Sequence, residues 1–244
     1  MFVLVVREVA ATASGGAMMP PSRKPSAHEP PPTASQAPPG PCRLGITMTN
    51  IRMYHEGSRG LQDQFGSRQL ADRLVERLAR VAFTPDDIAF VQSRNMFFLA
   101  TADADGFPDC SYKGGEPGFV RVVGESTLAF PSYDGNGMFK SLGNVVVNPH
   151  VGLLFIDFEK PRRLRVNGSA SIDDQDPLLH DFPGAQLIVR VEAYAIFPNC
   201  PRYIHNMQTG ELSVYAPREN HEPPEPAWKS FSDFSDVLPP KPKP

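Results

Sequence analysis

The chain contains few cysteines. Only Cys42, Cys110 and Cys200 occur among 244 residues, and none lies in a Cys-x-x-Cys or Cys/His ligand spacing. An odd number without such spacing excludes a disulfide framework and a zinc site. Free thiols are typical of a reducing compartment, so we expect a cytoplasmic protein without a structural metal.

Long apolar runs and basic clusters are also absent from the sequence. The apolar patch at residues 2–6 is interrupted by Arg7 and Glu8, which does not fit a secretion signal, and no later run is long enough to span a bilayer. The 24 Lys and Arg residues are scattered among 27 Asp and Glu residues. We therefore expect neither a membrane nor a nucleic-acid partner.

Motifs for hydrolysis and cation binding are missing as well. The Gly-x-Ser-x-Gly elbow of a serine hydrolase does not occur. Asp173, Asp174 and Asp176 lie close together, but they lack the glycine and the distal glutamate of a calcium loop. A solvated turn is the better interpretation of these carboxylates, and the sequence identifies no catalytic side chain.

Proline, by contrast, is abundant and crowds both ends of the chain, where large apolar residues are rare. The 27 prolines indicate three parts: a disordered Pro-rich tail over residues 1–47, one domain over 48–214, and a Pro-rich C-terminal tail over 215–244. We expect both tails to be dispensable for folding. Composition turns ordinary at Met48, so residues 1–47 are either a misassigned start or a genuine extension.

Helical patterns come first in the domain. Apolar residues about four apart over residues 58–81 predict an amphipathic packing helix with a weak point at Gly66. A second helix is predicted to begin at Thr84, because Thr84 and Asp87 form a capping box and Pro85 suits the first turn. A third helix is predicted within residues 136–148, where Asn148-Pro149 would end it, although Val145–Val147 is a poor helical sequence.

Short runs rich in β-branched and aromatic residues follow Asn95. Such runs, separated by turn residues, predict strands and a barrel or sandwich. The predicted strands cover residues 96–101, 109–113, 119–123, 127–130, 151–158, 164–172 and 186–197, and the first two form a hairpin at Asp105-Gly106.

The segment between the fourth strand and the third helix has the features of an anion site. Residues 130–137 are small and polar with two glycines, and Lys140 and Ser141 follow in the first turns of the helix. Backbone N–H groups, a hydroxyl and an ammonium would converge there, as they do around bound phosphates. Glycine-rich loops before helices are common, so this pattern alone leaves the ligand open.

Five motifs in order resemble the pyridoxamine 5'-phosphate oxidase-like family. They are Phe98-Leu99-Ala100-Thr101-Ala102-Asp103 with Gly106-Phe107-Pro108, Leu128-Ala129-Phe130, the 131–144 loop and helix, Asn148-Pro149-His150-Val151-Gly152-Leu153-Leu154-Phe155, and Arg165-Val166-Asn167-Gly168-Ser169-Ala170. The resemblance covers residues 83–198, and the flanking segments are similar to an uncharacterised bacterial branch.

The resemblance implies a fold and a cofactor. The fold would be mainly β with flanking helices, a six-stranded split β-barrel that forms a homodimer with flavin mononucleotide (FMN) at the subunit interface. The flavin would carry the redox chemistry of an oxidoreductase acting on an unknown small-molecule substrate.

Candidate cofactor-binding residues follow from the same resemblance. Ser111, Tyr112 and Lys113 would flank the flavin on one strand, and Pro131 and Ser132 would touch it from another. Lys140 or Ser141 matches the family's phosphate-binding lysine, and Arg163 falls where the enzymes use a glutamine that reaches across the dimer. The candidate set is Ser111, Tyr112, Lys113, Pro131, Ser132, Asn136, Lys140, Ser141, Asn144 and Arg163.

Two departures from the family argue against its name-giving activity. The oxidase has an arginine where Ser111 stands and a lysine where Glu116 stands, and Trp228 lies in the Pro-rich tail rather than in a segment that closes the pocket. Two alternatives therefore remain beside an FMN enzyme. One is a deazaflavin-dependent reductase, and the other is a flavin or haem binding or sensing protein, with a histidine such as His205 as iron ligand.

Overall fold

The computed structural model describes residues 53–210, 214, 221 and 224–239. These residues all lie in one compact unit, Leu44–Pro244. The predicted N-terminal tail and the choice of start at Met48 lie outside the described residues. None of the helices in the described part of the chain has the length and hydropathy needed to cross a membrane.

Three helices precede the sheet: α1 (Glu56–Gln64), α2 (Arg68–Leu78) and α3 (Pro85–Gln92). The single helix predicted over residues 58–81 is therefore two helices. The chain breaks between them because Gly66 has a φ of +62°, a left-handed conformation that glycine adopts without strain. The capping box at the start of α3 is confirmed, since the Asp87 N–H donates to the Thr84 hydroxyl and the Thr84 N–H donates back to the Asp87 carboxylate.

Seven antiparallel strands follow: β1 (Met96–Ala102), β2 (Pro108–Gly114), β3 (Arg121–Val122), β4 (Thr127–Tyr133), β5 (His150–Asp157), β6 (Arg162–Asp173) and β7 (Ala185–Asn199). Their order in the sheet is β2-β1-β5-β6-β7-β4-β3. The third strand is shorter than predicted, with only two residues at the edge of the sheet. The other six are the strands expected of a six-stranded split barrel.

The sheet is curled rather than flat. Phe97 of β1 contacts Phe130 of β4, with ring centroids 5.0 Å apart, although three other strands separate β1 from β4 in the sheet order. Phe97 also packs against Phe119 and Phe155. Curling brings both ends of the sheet around one apolar core, which is the arrangement of a split barrel. The fold is therefore mainly β with flanking helices.

Helix α4 (Lys140–Val147) connects β4 to β5 and packs against β1 and β2. It starts four residues later than the predicted range of 136–148. Its buried residues, Ser141, Leu142, Asn144 and Val145, fall on one face, while Val146 and Val147 are exposed. Burial of this face outweighs the poor helical propensity of the valines.

The C-terminal segment packs against α2. Phe234 and Val237 are buried with Leu70, and Trp228 contributes the edge of its ring to Phe234. Arg73 of α2 donates to the backbone carbonyl of Asp233 at 2.8 Å. Residues 224–239, part of the predicted Pro-rich C-terminal tail, are therefore packed against the domain. Trp228 lies in this packed segment.

Candidate functional site

A cavity of about 380 Å³ lies where the curled sheet leaves a gap between β2 and β4. Lining residues come from β2, from the end of β4, from the loop that follows it and from the first turn of α4. They are Asp109, Ser111, Tyr112, Lys113, Ser132, Tyr133, Asp134, Gly135, Asn136, Gly137, Met138, Phe139, Lys140, Ser141, Leu142 and Gln186. A cavity of this size is in the usual range of small-molecule sites.

Alternation along β2 determines which polar groups face α4. Asp109, Ser111 and Lys113 are two residues apart and half-buried, whereas Cys110 and Tyr112 between them are exposed. Residues two apart point to the same face of a strand. One edge of the cavity therefore presents a carboxylate, a hydroxyl and an ammonium in a column.

Lys113 is the half-buried cation of this column. Burial lowers the pKa of its ammonium, and the nearby Asp109 carboxylate opposes that shift. No hydrogen bond to this ammonium is found among the described residues. A partly desolvated ammonium without a direct partner is well suited to bind an anionic group of a ligand.

The loop between β4 and α4 has a strained end. Phe139, the residue before the helix, has a φ of +47°, and it is the one non-glycine residue with positive φ in the described part of the chain. Such a conformation costs about 1–3 kcal/mol and is often found at ligand sites. It brings the chain into α4 without a side-chain cap, so the first N–H groups of the helix are left for another acceptor.

Ser141 is buried and already hydrogen-bonded within the protein. Its hydroxyl oxygen lies 2.8 Å from Asp109 Oδ2 and 2.9 Å from Ser111 Oγ. Because an ionised carboxylate only accepts, the Ser141 hydroxyl donates to Asp109 and accepts from Ser111. Lys140, the other candidate for the phosphate-binding position, is exposed and lines the cavity.

Seven of the ten candidate residues line this cavity: Ser111, Tyr112, Lys113, Ser132, Asn136, Lys140 and Ser141. Pro131 and Asn144 do not. Pro131 is buried and pairs with Ile188, and the Asn144 amide donates to the Thr101 hydroxyl at 3.0 Å beneath the first turn of α4. Both residues are buried next to the cavity and contribute to packing rather than to its wall.

Arg163 does not line the cavity of its own chain. It lies on β6, where Nη2 donates to the Cys200 carbonyl oxygen, and its Nε is buried without a hydrogen-bond partner among the described residues. Burial and the neighbouring Arg165 lower the pKa of its guanidinium. The sequence prediction that Arg163 contacts a flavin therefore depends on a second copy of the chain.

Asp109 was not among the residues predicted from the sequence. The sequence could have identified Asp109, because it is two residues from Ser111 and four from Lys113, and this spacing places all three side chains on one face of a strand. Asp134 and Gln186 were also missed. They lie on different elements, and the Gln186 amide meets the Asp134 carboxylate at 3.3 Å because β4 and β7 are paired neighbours in the sheet.

A split barrel whose gap holds a cavity with aromatic and charged walls has the arrangement of a small-molecule site. Consistent with this, the family model of pyridoxamine 5'-phosphate oxidase matches residues 83–214, more than half of the chain. The chain belongs to this family. The comparison with curated proteins gave no match.

Three solved structures illustrate what the chain is similar to. HupZ of Group A Streptococcus is 17% identical, with 54% of this chain and 98% of that chain covered at a TM-score of 0.39. An FMN-binding protein of Syntrophomonas wolfei is 14% identical, with 59% of this chain and 96% of that chain covered at a TM-score of 0.37. The haem storage protein HutZ of Vibrio cholerae is 20% identical, with 49% of this chain and 92% of that chain covered at a TM-score of 0.33.

Proposed function

We propose that this protein binds FMN in the cavity between β2 and β4 and acts as a flavin-dependent oxidoreductase on a small molecule. The observation that carries the proposal is that one cavity combines exposed aromatic side chains, an uncapped helix start with Lys140, and a second ammonium group, Lys113, on β2. A flavin mononucleotide has the matching parts, a planar ring system and a phosphate. Family membership supports the same ligand class.

The phosphate end of the ligand would lie at the start of α4. Lys140 is exposed there, Lys113 faces the same space from β2, and the first N–H groups of the helix lack a cap. Helix N-termini and ammonium groups favour bound phosphate. Lys140 is the better candidate of the two predicted anchors, because the Ser141 hydroxyl already donates to Asp109.

The ring end would lie against the aromatic wall. Tyr133 and Phe139 line the cavity and are 39% and 53% exposed, so their faces are available to a planar ligand. The Tyr112 ring packs against Phe98 on the other face of β2, so Tyr112 borders the cavity without offering its ring. Stacked aromatic rings also exclude water from one side of the ligand. A bound flavin supplies hydride or electron transfer, and the protein would orient the ring and shield it.

Haem is the weaker candidate for this cavity. None of the described residues that line it is a histidine or a cysteine, and Tyr112, Tyr133 and Met138 are the lining side chains of types that ligate haem iron less often. His205 lies outside the lining. A flavin contains no iron and needs no such side chain, so it is favoured over haem. A deazaflavin would meet the same criterion.

Arg163 would act on the flavin of a partner subunit. Its guanidinium does not line the cavity of its own chain, so a homodimer would have to bring it to the second cavity. Arginine binds anions with a fixed fork of donors, so it would stabilise a reduced, anionic flavin or a substrate anion.

Titration of the purified protein with FMN and riboflavin tests the proposal. Flavin fluorescence should be quenched on binding by the wild type. Lys140→Ala should weaken FMN binding by about tenfold to hundredfold, because a charge-assisted hydrogen bond contributes about 1.5–3 kcal/mol. Riboflavin has no phosphate and should bind nearly as before.

Lys160→Ala is the matched control for Lys140→Ala. Lys160 is an exposed lysine in the turn between β5 and β6, so its removal changes the net charge equally without touching the cavity. Unchanged FMN affinity in Lys140→Ala would reject Lys140 as the anchor. Equal losses for FMN and riboflavin would indicate a folding defect instead.

A further inference from the structure

The negative charge of Asp109 lies beside the position proposed for the phosphate of the ligand. The Asp109 carboxylate lies 2.8 Å from the hydroxyl of Ser141, the second residue of α4, and therefore at the helix start where a phosphate would bind. Ser141 is only 6% exposed. The carboxylate is thus held in place by a buried donor and does not turn freely into solvent.

The charges on the cavity wall balance. Lys113 and Lys140 contribute the cations, and Asp109 and Asp134 contribute the anions. A phosphate monoester carries close to two negative charges at neutral pH, and two like charges within several ångströms repel strongly in a partly buried site. The wall is therefore less favourable for FMN than its lysines and free helix N–H groups alone would make it.

We propose that Asp109 weakens binding of the phosphate end and keeps FMN exchangeable, so that the flavin is a dissociable ligand rather than a permanently bound group. This inference rests on the proposed flavin site. Asp109 has two effects of opposite sign on an anion: it repels the phosphate directly, and it favours the charged form of Lys113. Direct repulsion dominates, because it acts on the phosphate itself, whereas the second effect reaches the phosphate only through Lys113.

The test compares FMN with riboflavin on the full chain and on Asp109→Asn. An asparagine side chain has nearly the same shape, and its carbonyl oxygen still accepts from Ser141, so only the charge is removed. We expect Asp109→Asn to bind FMN at least about tenfold more tightly and to release it correspondingly more slowly. Riboflavin affinity should change by less than about twofold, since riboflavin carries no phosphate.

Asp105→Asn is the control for net charge. Asp105 is exposed in the turn between β1 and β2 and does not line the cavity. Its removal should leave both affinities unchanged. Asp109→Ser, which removes the charge in a shorter side chain, should reproduce the gain for FMN, and thermal unfolding of each variant checks that the fold is retained.

Three results would overturn the proposal. Equal FMN affinity in the wild type and Asp109→Asn would show that the carboxylate does not face the phosphate. A parallel gain for both flavins would indicate a general change of the cavity rather than removal of repulsion. If the wild type and Asp109→Asn bound neither flavin, the proposed function itself would be wrong, and the role of Asp109 would be rejected with it.

Discussion

Asp87 is a buried carboxylate with two structural tasks. Only 1% of the residue is exposed, and its carboxylate accepts from Arg80 Nε at 2.8 Å and from the Thr84 N–H at 2.9 Å. Burial alone would raise the pKa of this carboxyl, but the hydrogen bonds from Arg80 and Thr84 outweigh it and hold the pKa below its ordinary value. Asp87 thus caps α3 and neutralises Arg80 at once.

Asp87→Asn should lower the free energy of unfolding by about 2 kcal/mol at neutral pH, because Arg80 loses its buried partner. Chemical denaturation measures this loss. The partly exposed Arg80 keeps some solvation, which is why the expected cost lies at the lower end for a buried pair. A loss below about 0.5 kcal/mol would show that the pair is neutral to stability.

The same pair predicts a dependence on pH. A carboxyl whose pKa is lowered by folding stabilises the protein above its ordinary pKa of 3.8, and this contribution disappears as the pH falls through the lower folded value. The difference in melting temperature between wild type and Asp87→Asn should therefore be constant above about pH 5 and shrink below about pH 4. A constant difference down to pH 2 would contradict the assignment.

At the scale of the elements, strand β6 contains an irregularity that requires a glycine. The register between β6 and β7 shifts at Asn167/Gly168, and a Cβ on Gly168 would lie 2.5 Å from the Glu192 carbonyl oxygen. A backbone atom cannot move aside as a flexible side chain can. Gly152 on the neighbouring strand is a contrast, since the nearest atom to its Cβ would be 3.6 Å away.

Gly168→Ala should therefore destabilise the protein by about 1–3 kcal/mol, as overpacking of a core does. Gly152→Ala should be tolerated within about 0.5 kcal/mol. Thermal unfolding of the two variants compares them directly. Equal effects would mean that β7 can shift to accommodate the extra methyl group.

The C-terminal segment can be followed by its own fluorescence. Trp228 is the one tryptophan in the sequence, and its ring lies 6.0 Å from that of Phe234 in the cluster against α2. Phe234→Ala should release the segment, with a red shift of the tryptophan emission and a loss of about 2–3 kcal/mol. Phe231→Ala, at a residue 55% exposed, is the control and should change neither.

For the whole molecule, we expect a homodimer. Val146 and Val147 on the outer side of α4 are 69% and 59% exposed, and the role proposed for Arg163 requires a second copy because Arg163 does not line the cavity of its own chain. Adjacent exposed apolar side chains are typical of an interface. Light scattering at micromolar concentration should give about twice 26.8 kDa, and Val147→Lys should weaken association. A monomer that still binds flavin tightly would contradict the role proposed for Arg163.

Local signals in the sequence determined much of this protein. The capping box at Thr84, the turn at Asp105-Gly106 and the alternation of apolar residues along the strands depend on neighbouring residues, so they could be read without the fold. Ordered family motifs then predicted the split barrel and seven of the sixteen residues that line the cavity.

Only the tertiary structure decided the rest of the cavity wall and the packing of the C-terminal segment, because these features depend on contacts between residues far apart in the chain. Curling of the sheet brings Asp109 of β2 to the start of α4, where it binds Ser141 and leaves Lys140 as the exposed cation. Residues 224–239 pack against α2 through four buried or half-buried large side chains, Trp228, Phe234, Val237 and Leu238, which are too few to fold alone but enough to cover Leu70. A local pattern cannot report such contacts, since their free energy arises from surfaces that meet only after folding.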